Sequence, residues 1–221
     1  MHMTMTLREW QGLVKTPVND YIVQASTMDG RDKWQRFPIG MQLNFRKAYM
    51  NHGLAALQLG NHEHLVFGAI NDATDQRRRG HSQIHRKAII QTCEKQLGIT
   101  NQMIDAEAYF LSLPTYKFVL SPEGNGIDCH RHYEALFAGC IPIVEKHPGI
   151  MQKYAGCPVL YTTDYSELTP EFLEETYQRM LDDTFDFSRL FLSYYDQLTQ
   201  FYIKYCGNFW MTRCTGAPFY N

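Results

Sequence analysis

The stretch 116–144 constrains the fold of this 221-residue chain more than any other. Residues 116–120 (Tyr-Lys-Phe-Val-Leu) form a short, largely apolar run, the pattern of a parallel strand buried on both faces. The loop after it holds Gly124, Asn125 and Gly126, residue types that reach backbone conformations closed to others. Asp128 reads as an N-cap, residues 129–138 as a helix, Gly139 as its stop and 141–144 as the next strand. A flexible loop that opens a helix beyond a parallel strand is where α/β proteins bind phosphorylated ligands.

The same alternation extends in both directions. Residues 65–70 and 158–161 read as apolar strands, 102–104 as a weakly marked one, and 82–97, 107–113 and 170–181 as helices. The spacing also predicts a long helix over 187–205, with an irregular tail from Gly207. Its stripe of Phe191, Tyr194, Tyr195, Leu198, Phe201, Tyr202 and Tyr205 fits core packing. Upstream, 6–13 reads as a helical turn, 21–25 as a short strand, 27–36 as charged and turn-like, and 41–59 as a helix interrupted near Gly53. Strands alternating with helices imply an α/β fold with a doubly wound parallel sheet. The length suits one domain with an appended piece: a short, partly helical extension over 1–60 and the α/β domain over 61–221.

A net charge of -2 argues against nucleic acid as a partner. The one basic cluster is Arg77-Arg78-Arg79. No CxxC pair occurs among the six cysteines, so a zinc knuckle is not expected. No apolar leader opens the chain and no window reaches the length of a membrane span. Free thiols and a cytoplasmic location are the expectation; a luminal domain trimmed of its anchor would share this composition.

Several residues make the pattern specific. They are Ser121, Pro122, Gly124, Gly126, Asp128, Arg131, Glu134-Ala135-Leu136 and the run 139–144 (Gly-Cys-Ile-Pro-Ile-Val). Together they resemble the exostosin-like glycosyltransferases, well over 60–205 and faintly over 20–60. The resemblance implies the donor-binding half of a two-domain GT-B type enzyme with a Rossmann-like sheet. It implies transfer of a hexosyl or pentosyl unit from a nucleotide diphosphate-sugar to a glycan or other acceptor. No cofactor or metal is implied. Because two such domains exceed 221 residues, the N-terminal part reads as the remnant of an acceptor-side domain. A non-catalytic nucleotide-sugar-binding module is the alternative, with a partner chain or homodimer supplying the missing half.

At this place the resembled family carries a Glu that binds ribose, which assigns Glu134; a carboxylate accepts two hydroxyl protons. Arg131, one turn earlier, faces either the diphosphate or Asp128 in an ion pair. Gly124, Asn125 and Gly126 offer a backbone cradle or a plain turn. Asp128 contacts a sugar hydroxyl or simply caps the helix. Ser121 belongs to the motif, while Arg77 and Asn71 come from the loop after the first core strand, at the same sheet edge. His130 and His132 fall on different helix faces, so they do not share a metal. No general base is assigned; Asp29, Asp32 and Asp128 are the carboxylates within consideration.

Overall fold

A computed structural model describes residues 3–26, 34–79 and 84–221. The chain opens with β1 (Thr4–Thr6), which runs directly into α1 (Leu7–Gln11). Thr6 and Glu9 close a reciprocal capping box there. After a 3-10 turn at Val18–Asp20 and further residues up to Asn44 comes α2 (Phe45–Gln58), kinked at Gly53, whose φ of 74° only glycine adopts readily.

The α/β part follows in the order β2 (His64–Phe67), α3 (Gln76–Arg79), α4 (Arg86–Leu97), α5 (Ala106–Ser112) and β3 (Tyr116–Leu120). It continues with α6 (His130–Phe137), β4 (Ile141–Glu145), α7 (Pro148–Lys153), β5 (Leu160–Thr162) and α8 (Pro170–Leu181). Two last elements close the chain, β6 (Thr184–Asp186) and α9 (Gln197–Thr215). Strands β2 to β5 make one parallel sheet in sequential order, with His64 opposite Tyr116, Phe118 opposite Ile141 and Ile143 opposite Leu160. A four-stranded parallel sheet flanked by helices is compatible with a Rossmann-like fold. The reversal of strand order that defines a doubly wound sheet is absent among the described residues. Because all four strands point the same way, the loops after β2, β3 and β4 gather at one edge.

The core is continuous with the N-terminal residues. Leu7, Trp10, Tyr21, Ile22 and Phe45 are fully or almost fully buried alongside Phe118, Ile141 and Ile143. Trp10 stacks on Phe187 with ring centroids 4.0 Å apart, and its indole N–H donates to Leu136 O at 2.7 Å. Strand β1 pairs antiparallel with β6. Helix α6 is thereby enclosed: Tyr133 Oη donates to Leu190 O and accepts from Ile22 N at 2.8 Å.

Several sequence expectations need correction. Residues 187–195 are not helical beyond two 3-10 turns, and the last helix starts where Asp196 accepts from Thr199 N. That helix continues through Gly207 to Thr215. Gly207 is a packing contact rather than a stop, since a Cβ there would sit 2.5 Å from Val23 O. Only part of the aromatic stripe is core: Phe191 is buried, whereas Leu198, Phe201 and Tyr205 are 78, 66 and 54% exposed. Residues 102–104 form no strand; Gln102 N donates to Gly68 O just past β2 at 2.8 Å, and its side chain to Tyr116 Oη of β3 at 3.3 Å. The strand expected over 21–25 reduces to two isolated bridges, Tyr21 with Phe191 and Val23 with Met41. Most of the turn expected over 27–36, and the start of the helix expected from Ser82, lie outside the described residues.

Lys15 is the costliest residue in this core. It is 1% exposed, its Nζ has no hydrogen-bond partner, and it lies 4.6 Å from the Trp10 ring centre. Burial lowers its pKa from 10.5 to about 7. The unfolded chain binds the proton over that interval while the folded chain does not, so stability rises as pH climbs from about 7 to 10.5. Lys15→Met is expected to raise the unfolding free energy at neutral pH by about 1–4 kcal/mol. Urea unfolding should show that gain shrinking as pH approaches 10.5.

Candidate functional site

The loop 121–128 is held at nearly every residue. The Ser121 hydroxyl lies 2.6 Å from His132 Nδ1, and His132 Nε2 lies 3.3 Å from Ile127 O. A carbonyl only accepts, so Nε2 carries the proton and Nδ1 accepts from Ser121. Burial also lowers the His132 pKa, which keeps this tautomer neutral. Arg86, at the start of α4, donates to Pro122 O, Glu123 O and Asn71 O at 2.8–3.1 Å. A Cβ on Gly124 would meet that guanidinium at 2.8 Å, which is why glycine stands there. On the other side Glu123 N donates to Glu145, and the Glu123 carboxylate accepts from Arg78 at 2.5 Å.

Asp128 ends the loop and does not cap α6. Cys129 holds the N-cap position without a side-chain bond. Asp128 Oδ2 accepts from Ile39 N at 2.9 Å and from Lys153 Nζ at 2.7 Å, and Oδ1 accepts from Tyr154 Oη at 2.9 Å. With all these donors on it, the carboxylate is a structural junction. The segment 39–42 then runs along α6: His130 Nδ1 donates to Gly40 O at 2.7 Å and Gln42 N donates to Glu134 Oε1 at 2.9 Å. Gly40 permits this path, with φ 80° and the place of a Cβ only 2.1 Å from Ile22 O.

This strap lies between two recesses at the strand ends. The larger, about 500 Å³, is walled by Ile39, Trp34, Phe37 and the loop residues Asn125, Gly126 and Asp128, with Arg78, His147 and Lys153 around it. The smaller, about 270 Å³, is polar and holds Arg131, Asn71, Gln42, Gln102 and Tyr109. The expected site residues therefore divide: Asn125, Gly126 and Asp128 face one recess, Asn71 and Arg131 the other.

The electrostatics of the two differ. In the larger recess Arg78 is paired with Glu123 and Lys153 with Asp128. In the smaller, Arg131 donates to Ala69 O at 2.7 Å, and its Nε is buried without a partner. The alternative Arg131–Asp128 ion pair does not form. Glu134 lies beneath the strap, 2% exposed, and burial pushes its carboxyl above the ordinary range. Ser121 is fully buried. Arg77 is exposed and lines neither recess. Its neighbours are the ones engaged, with Arg79 bound to Asp75 and Glu145.

Sequence reasoning missed Arg86 and Lys153. Arg86 left one trace, a cation in the first turn of a helix where the dipole disfavours it; bound carbonyls repay that cost. Among the described residues no cluster of three or more His, Cys, Asp or Glu is placed to hold a metal. None of the described helices is long and apolar enough to cross a membrane.

The family model of the RXYLT1 C-terminal domain matches residues 78–205, more than half of the chain. The match takes in β3, the loop 121–128, α6 and β4; residues 25–42 and 69–71, which line much of both recesses, lie outside it. No curated protein matches the chain.

If Asp128 is the junction, Asp128→Asn strips the buried Lys153 ammonium of its counter-charge. It should cost about 3 kcal/mol in urea unfolding, with part of the loss recovered in Asp128→Asn/Lys153→Met. Arg77→Ala should stay within about 0.5 kcal/mol of the parent.

Proposed function

The chain belongs to the RXYLT1 C-terminal domain family, a xylosyltransferase family related to exostosin-like glycosyltransferases; from that premise we propose that it binds a nucleotide diphosphate-sugar and transfers the sugar to a glycan or other acceptor. In this reading residues 61–221 are the donor-binding part of a GT-B type enzyme. The xylosyltransferase description of the family favours a pentose as the sugar.

One observation carries the choice of recess. Arg131 is a guanidinium that forms no ion pair among the described residues, though its charge acts on the Glu134 carboxylate, and it stands at a helix start that, like that of α2, has no side-chain cap. Its charge and the positive end of a helix without a side-chain cap suit a diphosphate. Both favour the departing diphosphate more strongly as its negative charge develops, the electrostatic contribution that usually matters most. Asn71 borders the same recess. Glu134 is the ribose ligand in this reading. No general base is assigned: Asp29 and Asp32 lie outside the described residues, and Asp128 is fully engaged.

A second reading is a non-catalytic or partner-dependent donor module. Two observations favour it. The strap leaves Glu134 2% exposed, so ribose reaches the carboxylate only if residues 39–42 shift. The uncovered Leu198, Phe201 and Tyr205 on α9 are the kind of apolar face another domain or chain covers.

Calorimetric titration with a panel of nucleoside diphosphates should show binding to at least one. Arg131→Ala is expected to weaken it by about tenfold or more, roughly 1.4 kcal/mol. Failure of the parent protein to bind any of them contradicts both readings. Binding without turnover of the matching nucleotide-sugar, over a panel of acceptors, favours the second.

A further inference from the structure

Building on the glycosyltransferase reading, we propose that the larger recess is the acceptor subsite and takes a neutral saccharide ring stacked on Trp34. Three features of the recess lead there. Its volume of about 500 Å³ is in the range of small-molecule sites, and aromatic and aliphatic surface from Trp34, Phe37 and Ile39 stands beside a few polar groups. That mixture fits a pyranose, whose C–H faces carry weak positive charge toward an aromatic π-cloud while its hydroxyls need polar partners at the rim. Asn125 is exposed and the Ser26 residue lies on the same wall, so both donors and acceptors are at hand.

The Trp34 ring is held in place, yet it is uncovered. The Lys153 ammonium lies 4.2 Å from its ring centre, the His147 ring 6.1 Å away. Gly149 supplies the room: a Cβ there would sit 2.7 Å from the indole. Even so the residue is 43% exposed, which leaves indole surface open to a ligand in the recess.

Charge distinguishes this recess from the donor's. Both of its main cations are already matched, Arg78 by Glu123 and Lys153 by Asp128, so a diphosphate would find little free positive charge. The open cation, Arg131, lines the other recess. The strap and the first turn of α6 lie between the two. Ile39 borders the larger recess and Gln42 the smaller, so both recesses share the strap 39–42.

The test is saturation-transfer NMR with methyl β-glucopyranoside, methyl β-galactopyranoside and methyl β-xylopyranoside, run on the parent chain, Trp34→Phe and Trp34→Ala. Titration with uridine and guanosine diphosphates runs in parallel. At least one pyranoside should receive saturation through its ring C–H protons. Trp34→Ala should reduce that transfer by about tenfold, Trp34→Phe less so, with nucleotide affinity unchanged. Equal transfer in Trp34→Ala, or none from any pyranoside to the parent, overturns the proposal. Loss of nucleotide binding in Trp34→Ala overturns it too, by giving the recess to the nucleotide. Saccharide binding without any nucleotide binding instead removes the donor reading and leaves the saccharide site standing.

Discussion

The Asp128 carboxylate is the contact on which the rest of the site depends. It takes a main-chain amide from residue 39, an ammonium from α7 and a phenol from the turn after α7. Those partners come from two separate parts of the chain, residue 39 and residues 153–154, and each loses its hydrating water on folding. A charged acceptor with several donors is among the stronger arrangements available to a protein interior. Lys153 is 4% exposed, so the pair is one that must stay intact: removing either charge leaves the other stranded. Through this junction the strap 39–42 is drawn onto α6, and the strap in turn holds His130 and Glu134.

The consequence is a loop whose geometry exists before any ligand arrives. Ser121 is tied to His132, the carbonyls of Pro122 and Glu123 to Arg86, and Glu123 N to Glu145. Such pre-organisation matters for transfer chemistry because fixed dipoles need no reorganisation as charge develops. Beside this loop Arg86 is saturated by main-chain carbonyls, whereas Arg131 makes one bond, to Ala69 O, and forms no ion pair among the described residues. Paired cations on one side of the strap and an unpaired one on the other give each recess its own chemistry.

Much of this was legible in the chain. The order strand, loop, helix, strand over 116–144 follows from apolar runs and from Gly139, because those signals are local. The partners of each polar residue were not legible, because they come from far along the chain. Asp128 has the sequence context of an N-cap, yet Ile39 and Lys153 outbid the helix for it. Among three adjacent arginines, spacing alone cannot tell which meets Glu123, Asp75 or water; Arg77 proved to be the one in water. Gly207 misled for the same reason, since a close approach to Val23 and a helix stop both ask for glycine. The aromatic stripe after Phe187 carried helical periodicity, but periodicity does not say which face is covered.

In the proposed reading a nucleoside diphosphate binds on the Arg131 side of the strap and not on the Trp34 side. Amide chemical-shift mapping during titration with the nucleoside diphosphate tests it most directly. The expected result is perturbation of residues 69–71, 102–106 and the first turn of α6, with residues 147–153 and the Trp34 indole unmoved. Shifts confined to Trp34, His147 and Lys153 would contradict it.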